Sequence, residues 1–136
     1  MRDSRVGPVA QAALADLLLV LVFTAIGRVS HGEDLGLAGL ARTAGPFLVG
    51  WLVGWVLVLA VPATRGRPGR LLAGVLVWVP TVVVGMLVRA AVGQGVQTSF
   101  VVVTTIVLAV FLLGWRGVVA LVRRSRRDSR VHAEVS

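Results

Sequence analysis

The sequence predicts an all-α, polytopic membrane protein with four transmembrane helices in a compact bundle. Of its 136 residues, 57% are apolar and only 15% are charged, which is too apolar a balance for a soluble domain of this size. Four apolar runs of near-spanning length cover about residues 9–27, 46–61, 71–91 and 100–122. These spans leave room for a single membrane domain over residues 1–136, with residues 123–136 as a basic cytoplasmic tail.

The first apolar run contains one carboxylate, Asp16. The residues that follow it up to Gly27 reach only about 16 Å, half the hydrocarbon thickness, so the span has to include Asp16. An ionisable group about 10 Å inside a membrane needs a partner and often marks function. A cleaved signal peptide is the alternative for this run, but Arg2 and Arg5 are offset by acidic residues, and three further spans follow.

The fourth span offers Arg116 as that partner, at a depth of about 9 Å from the same side. A helical wheel places it on one face with Thr98, Thr105, Ala109 and Leu112. We predict that Asp16 and Arg116 form an intramembrane ion pair that joins the first and fourth spans. The rival hypothesis makes Asp16 a proton carrier, which an adjacent arginine opposes because it favours the ionised carboxylate.

All fourteen basic residues are arginines, and the net charge is +8. On a soluble domain this charge would suggest nucleic acid, but its placement here follows the positive-inside rule. Ten arginines lie on one side of the spans and three on the other. We therefore expect both termini in the cytoplasm and no nucleic-acid partner. The Arg-rich tail is expected either to attract anionic lipid, by about 1 kcal/mol per arginine, or to act only as a topology determinant.

On the opposite side, Arg28 and Arg89 each end a span near the loop that contains His31, Glu33 and Asp34. Unpaired charge near lipid is costly, so these five residues are predicted to converge into an outer polar patch. A metal-binding or hydrolytic cluster is the alternative, but one histidine and two carboxylates form a weak ligand set. The chain has no cysteine and hence no thiol chemistry. We expect no enzyme activity, no metal and no cofactor.

Glycine and proline predict how the middle spans pack. Gly50 and Gly54 form a small-xxx-small pattern, which lets helix backbones approach closely but is also common by chance. Pro80 lies in the middle of the third span and predicts a kink. Pro46 is expected at the first helical position of the second span, after a short surface helix capped by Asp34.

Several of these residues form a pattern that resembles an uncharacterised membrane family, the domain of unknown function 3054. The pattern consists of Asp16, Phe23, Gly27, Arg28, Ser30, His31, Gly32, residues 46–51, Gly85, Arg89, Gly114, Trp115 and Arg116. The resemblance covers nearly the whole chain. It implies a small multi-pass protein of bacterial or archaeal plasma membranes, and it implies no activity.

Two classes of function are compatible with the sequence. The first is a structural or partner-binding membrane component, whose predicted partner is the lipid bilayer. The alternative is a subunit of an oligomeric small-solute or proton-coupled transporter or channel, which rests on Asp16, Arg116 and Pro80. Four helices enclose little space, so transport would require a homo-oligomer, and the sequence leaves that state open.

Overall fold

The computed structural model describes residues 7–135, with no description of the Val135 side chain. It consists of helices α1 (Pro8–Ser30), α2 (Leu37–Ala60), α3 (Pro62–Arg65), α4 (Leu71–Ala91) and α5 (Thr98–Val135). Over residues 7–135 no strand is present, and all but the short α3 are long and apolar enough to cross a membrane. The predicted all-α class with four such helices is confirmed. Arg2 and Arg5, which entered the charge count above, lie outside the described residues.

The second long helix begins earlier than expected. It starts at Leu37, so the predicted surface helix is its first part, and the expectation that Pro46 opens the span was wrong. Proline inside a helix frees the carbonyl four residues earlier, at Arg42. That oxygen accepts a hydrogen bond from Gln94 Nε2 at 3.1 Å, which compensates for the missing backbone bond. The prediction that Asp34 caps this helix was also wrong: the N-cap is Gly36, whose N–H donates to Asp34 Oδ1 at 3.0 Å.

The four long helices form a closed ring in the order α1, α2, α4, α5, with α5 returning to α1. Residues 31–36 and 92–97 connect helices at one end of the ring, which we call the loop end. The start of α1, the α3 turn and the start of α4 lie at the opposite end, which we call the terminal end. Beyond residue 122, α5 continues as an exposed helix to Val135, so the basic tail is helical.

The core runs along the axis of the ring, and the outer surface is apolar. Phe47, Val77 and Leu108 have no exposed surface. In contrast, Leu18, Leu87 and Val110 are 60–65% exposed on the outside of the bundle. Many other large apolar side chains are also exposed on the outside of the bundle. Such a surface favours contact with lipid over contact with water.

Helices α2 and α4 approach each other closely at two glycines. A Cβ atom built on Gly50 would lie 2.5 Å from the carbonyl oxygen of Pro80 and 2.6 Å from Thr81 Cα. A Cβ on Gly54 would lie 2.7 Å from Val77 Cα. Only glycine permits such contact between backbones. The structure therefore brings the predicted packing residues Gly50, Gly54 and Pro80 to one interface.

Candidate functional site

The structure brings Asp16 of α1 and Arg116 of α5 together in a bidentate pair. Arg116 Nη1 donates to Asp16 Oδ1 and Nη2 donates to Oδ2, both at 2.8 Å. Neither side chain has any surface exposed to solvent. This two-bond geometry is the strongest form of an arginine–carboxylate interaction, and it fixes the relative position of the two helices.

Three further groups complete the environment of the pair. Trp115 Nε1 donates to Asp16 Oδ1 at 2.8 Å. Arg116 Nε donates to the carbonyl of Pro68 at 3.0 Å, and Nη1 also donates to the carbonyl of Leu112 at 2.8 Å. Four of the five guanidinium N–H groups are thus used, and both carboxylate oxygens accept at least one bond. The network ties α1 and α5 to the turn between α3 and α4.

The local sequence explains why the pair faces inward. On α1, residues Ala12, Asp16 and Val20 recur every four positions and are all buried. On α5 the buried face carries Thr104, Leu108, Leu112 and Arg116. The predicted face had Leu112 and Arg116 right, but Thr104 and Leu108 take the places expected for Thr105 and Ala109. A strict four-residue spacing, and not the wheel assumed above, describes this side of α5.

A glycine on α4 makes room for the arginine. A Cβ built on Gly74 would lie 2.9 Å from Arg116 Cδ and 2.7 Å from a methyl group of Leu113. The guanidinium also lies over the Trp115 ring, 4.5 Å from its centroid. Neither Gly74 nor Trp115 was among the predicted site residues, although Trp115 is the sequence neighbour of Arg116.

At the loop end, Arg28 organises the connection between α1 and α2. Its Nε donates to the Asp34 carbonyl at 2.6 Å, and Nη1 donates to Thr43 Oγ1 at 2.8 Å. Its guanidinium also forms ion pairs with Asp34 at 3.5 Å and, more distantly, with Glu33 at 3.9 Å. These contacts hold the 31–36 loop against the start of α2, so Arg28, Glu33 and Asp34 share one cluster.

Arg89 also lies at the loop end, but it binds the other loop, residues 92–97. Its Nη1 donates to Gln94 Oε1 at 2.8 Å, and Nη2 donates to the Gly95 carbonyl at 2.7 Å. The guanidinium stacks over Phe100, 4.3 Å from the ring centroid. Because Gln94 also donates to Arg42, it connects Arg89 with α2.

A cavity of about 620 Å³ collects most of the predicted outer patch. Arg28, His31, Glu33 and Arg89 line it, whereas Asp34 contacts it only through its bonds to Arg28. Thr43 and Gln94 are lining residues that the sequence reasoning missed. Within residues 7–135, no group of three histidine, aspartate or glutamate side chains is placed to hold a metal ion.

Fold and site together define a small all-helical protein with four helices able to cross a membrane, closed at one end by a buried ion pair. The chain belongs to the DUF3054 family, described as a protein of unknown function, whose sequence profile matches residues 13–119. The resemblance inferred from the motifs is therefore confirmed. Neither curated proteins nor solved structures give a match to the chain.

Proposed function

We propose that the protein is a non-enzymatic structural or partner-binding component of a prokaryotic plasma membrane, in which the Asp16–Arg116 pair acts as an anchor between helices. The observation that carries this proposal is that the pair is fully buried and both carboxylate oxygens accept hydrogen bonds. Asp16 has no exposed surface and accepts three hydrogen bonds from Trp115 and Arg116, so it lacks the access to water of a group that exchanges protons with solvent.

The orientation of the protein follows from its charges. Arg65, Arg67 and Arg70 lie in the α3 turn at the terminal end, where the arginine-rich segment of α5 also begins. Among residues 7–135, the arginines at the loop end are Arg28, Arg42 and Arg89. By the positive-inside rule, the terminal end and both termini are cytoplasmic.

A substitution cycle at the pair tests the anchor. Asp16→Leu or Arg116→Leu alone leaves one buried charge without its partner, which costs about 3 to 5 kcal/mol. The double substitution removes both charges, so it is expected to recover part of the loss. Recovery stays incomplete because Trp115 Nε1 and the Pro68 carbonyl lose their partner, at about 1 to 3 kcal/mol for each buried group. The readout is the monodisperse folded fraction in mild detergent.

Trp115→Phe is the matched control, because it removes one hydrogen bond from Asp16 and leaves the ion pair in place. We expect it to cost about 1.5 to 3 kcal/mol, the value for one hydrogen bond to a charged group, and less than either substitution within the pair. A double variant that folds no better than either single variant would contradict the anchor. So would an Asp16→Asn variant that folds normally but loses a pH-dependent flux found in the wild type.

Two cavities, the one at the loop end and a second beside the start of α1 and the arginine-rich part of α5, support a second candidate, a transporter subunit. They lie at opposite ends of the bundle, with volumes of about 620 and 1140 Å³. Between them the core is closed by Val20, Leu108 and Leu112, and it contains a buried Thr104 hydroxyl without a hydrogen-bond partner in residues 7–135. Proteoliposomes with an entrapped pH dye distinguish the candidates, because an anchor gives no proton flux above that of protein-free vesicles.

A further inference from the structure

The larger cavity lies at the terminal end and has a volume of about 1140 Å³. It is bounded by the start of α1, the turn after α3, the start of α4 and the arginine-rich part of α5. No aspartate or glutamate is among its lining residues in the described part of the chain. Six arginines line it, namely Arg67, Arg70, Arg116, Arg123, Arg124 and Arg127. Its charge is therefore of one sign.

Only two of these arginines are committed to the protein itself. Arg116 pairs with Asp16, and Arg70 Nη1 donates to the Ala63 carbonyl at 3.3 Å. The side chains of the other four make no hydrogen bond or ion pair with residues 7–135. Positions 123 and 127 are four residues apart on α5, where like charges face each other and repel. An anion between them would relieve that repulsion.

The start of α4 adds backbone donors to the same cavity. The helix has no side-chain cap and no acidic residue in its first turn. Leu71 and Leu72, which belong to that turn, line the cavity. The free N–H groups of a helix start carry the positive end of the helix dipole and favour an anion.

The wall of the cavity is apolar beside the arginines. Leu71 and Leu72 are 55% and 47% exposed, and Val119 and Ala120 complete this part of the lining. A ligand that fits both surfaces carries a compact anion and a hydrocarbon chain. Free phosphate would use only the arginines, whereas a phospholipid would use both.

We propose that this cavity binds the phosphate-bearing headgroup of an anionic phospholipid, with its acyl chains along Leu71 and Leu72. Guanidinium groups bind phosphate oxygens with two parallel hydrogen bonds, which lysine cannot do. Basic pockets between membrane spans on the cytoplasmic side recognise such headgroups. Arg116 borders the cavity, but its guanidinium is bound to Asp16, so lipid binding rests on the other arginines and not on the anchor.

The test is lipid retention by the full chain, extracted from vesicles of phosphatidylcholine and phosphatidylglycerol and analysed by native mass spectrometry. The variant combines Arg67→Gln, Arg123→Gln and Arg127→Gln, three exposed positions whose loss leaves the fold intact by circular dichroism. Because each substitution removes a guanidinium that binds the phosphate directly, the retained ratio of phosphatidylglycerol to phosphatidylcholine should fall about tenfold or more.

The matched control combines Arg65→Gln, Arg126→Gln and Arg130→Gln, which remove the same charge from positions that do not line the cavity. The control should change the ratio by less than about twofold, a small fraction of the free energy that the cavity arginines supply. Equal losses in both triple variants would overturn the proposal in favour of unspecific attraction by the tail. If inorganic phosphate alone displaces the lipid from the wild type, the ligand of this cavity is free phosphate and the lipid proposal is wrong.

Discussion

The contact between α2 and α4 predicts that a single methyl group at Gly50 separates the two helices. In Gly50→Ala the new Cβ would meet the Pro80 carbonyl oxygen at 2.5 Å, about 1 Å closer than an ordinary van der Waals contact. Its neighbours are backbone atoms, which cannot rotate away as a side chain can. The helices must therefore shift, and overpacking of this kind costs about 1 to 3 kcal/mol.

Gly114→Ala on α5 provides the reference, because a Cβ there meets no atom within 4 Å. Alanine is favoured over glycine in a helix by up to about 1 kcal/mol, so this variant should be neutral or more stable. The helix-propensity gain applies to both variants and cancels, so they should differ by the overpacking cost, about 1 to 3 kcal/mol in the free energy of unfolding. The assay is unfolding in mixed detergent and dodecyl sulfate, followed by tryptophan fluorescence. Equal midpoints for the two variants would refute the close backbone contact.

Two further predictions concern the ends of the bundle. Single cysteines can be placed at three exposed positions, Ser30, Ala63 and Ser129. Only the cysteine at Ser30 should react with an impermeant reagent outside intact cells, and labelling at either of the other two would contradict the proposed orientation. Gln94→Leu should cost about 1 to 3 kcal/mol in the same unfolding assay, because the Arg42 carbonyl loses its donor and the Arg89 guanidinium loses an acceptor. An unchanged midpoint would show that neither bond contributes to stability.

The sequence predicted the ion pair because a depth argument needs only chain length and charge. Asp16 and Arg116 were counted to the same level from the same side, and each required a partner in lipid. Chain length and charge could not predict the other residues that bind the pair. Trp115 reaches Asp16 through its rotamer, and Pro68 accepts through a backbone carbonyl in a turn, neither of which has a periodic signal.

The outer cluster was predicted in part for a similar reason. Arg28 and Arg89 end spans on the same side, so a shared cavity follows from topology. The sequence does not show that each arginine binds the loop next to it and that Gln94 connects them. One signal for Gln94 was present: Pro46 inside a longer helical pattern frees a carbonyl, and a nearby donor is then required. Because Pro46 was assumed to begin the helix, the need for a donor to the Arg42 carbonyl was not recognised.

Pro46 and Pro80 each free a backbone carbonyl, and the bundle compensates for the two in different ways. Pro46 lies near the loop end, where the freed Arg42 carbonyl is within reach of the Gln94 side chain. Pro80 lies in mid-span, where the freed Leu76 carbonyl has no side-chain donor among residues 7–135. There the helix α2 approaches instead: a Cβ on Gly54 would lie 3.0 Å from the Leu76 oxygen, so a Cα–H of glycine faces that carbonyl. Weak C–H···O contacts of this kind are common where helices pack closely. The glycine pair therefore both permits the close approach and supplies the group that faces the carbonyl freed by proline, and replacing Gly54 would remove both at once.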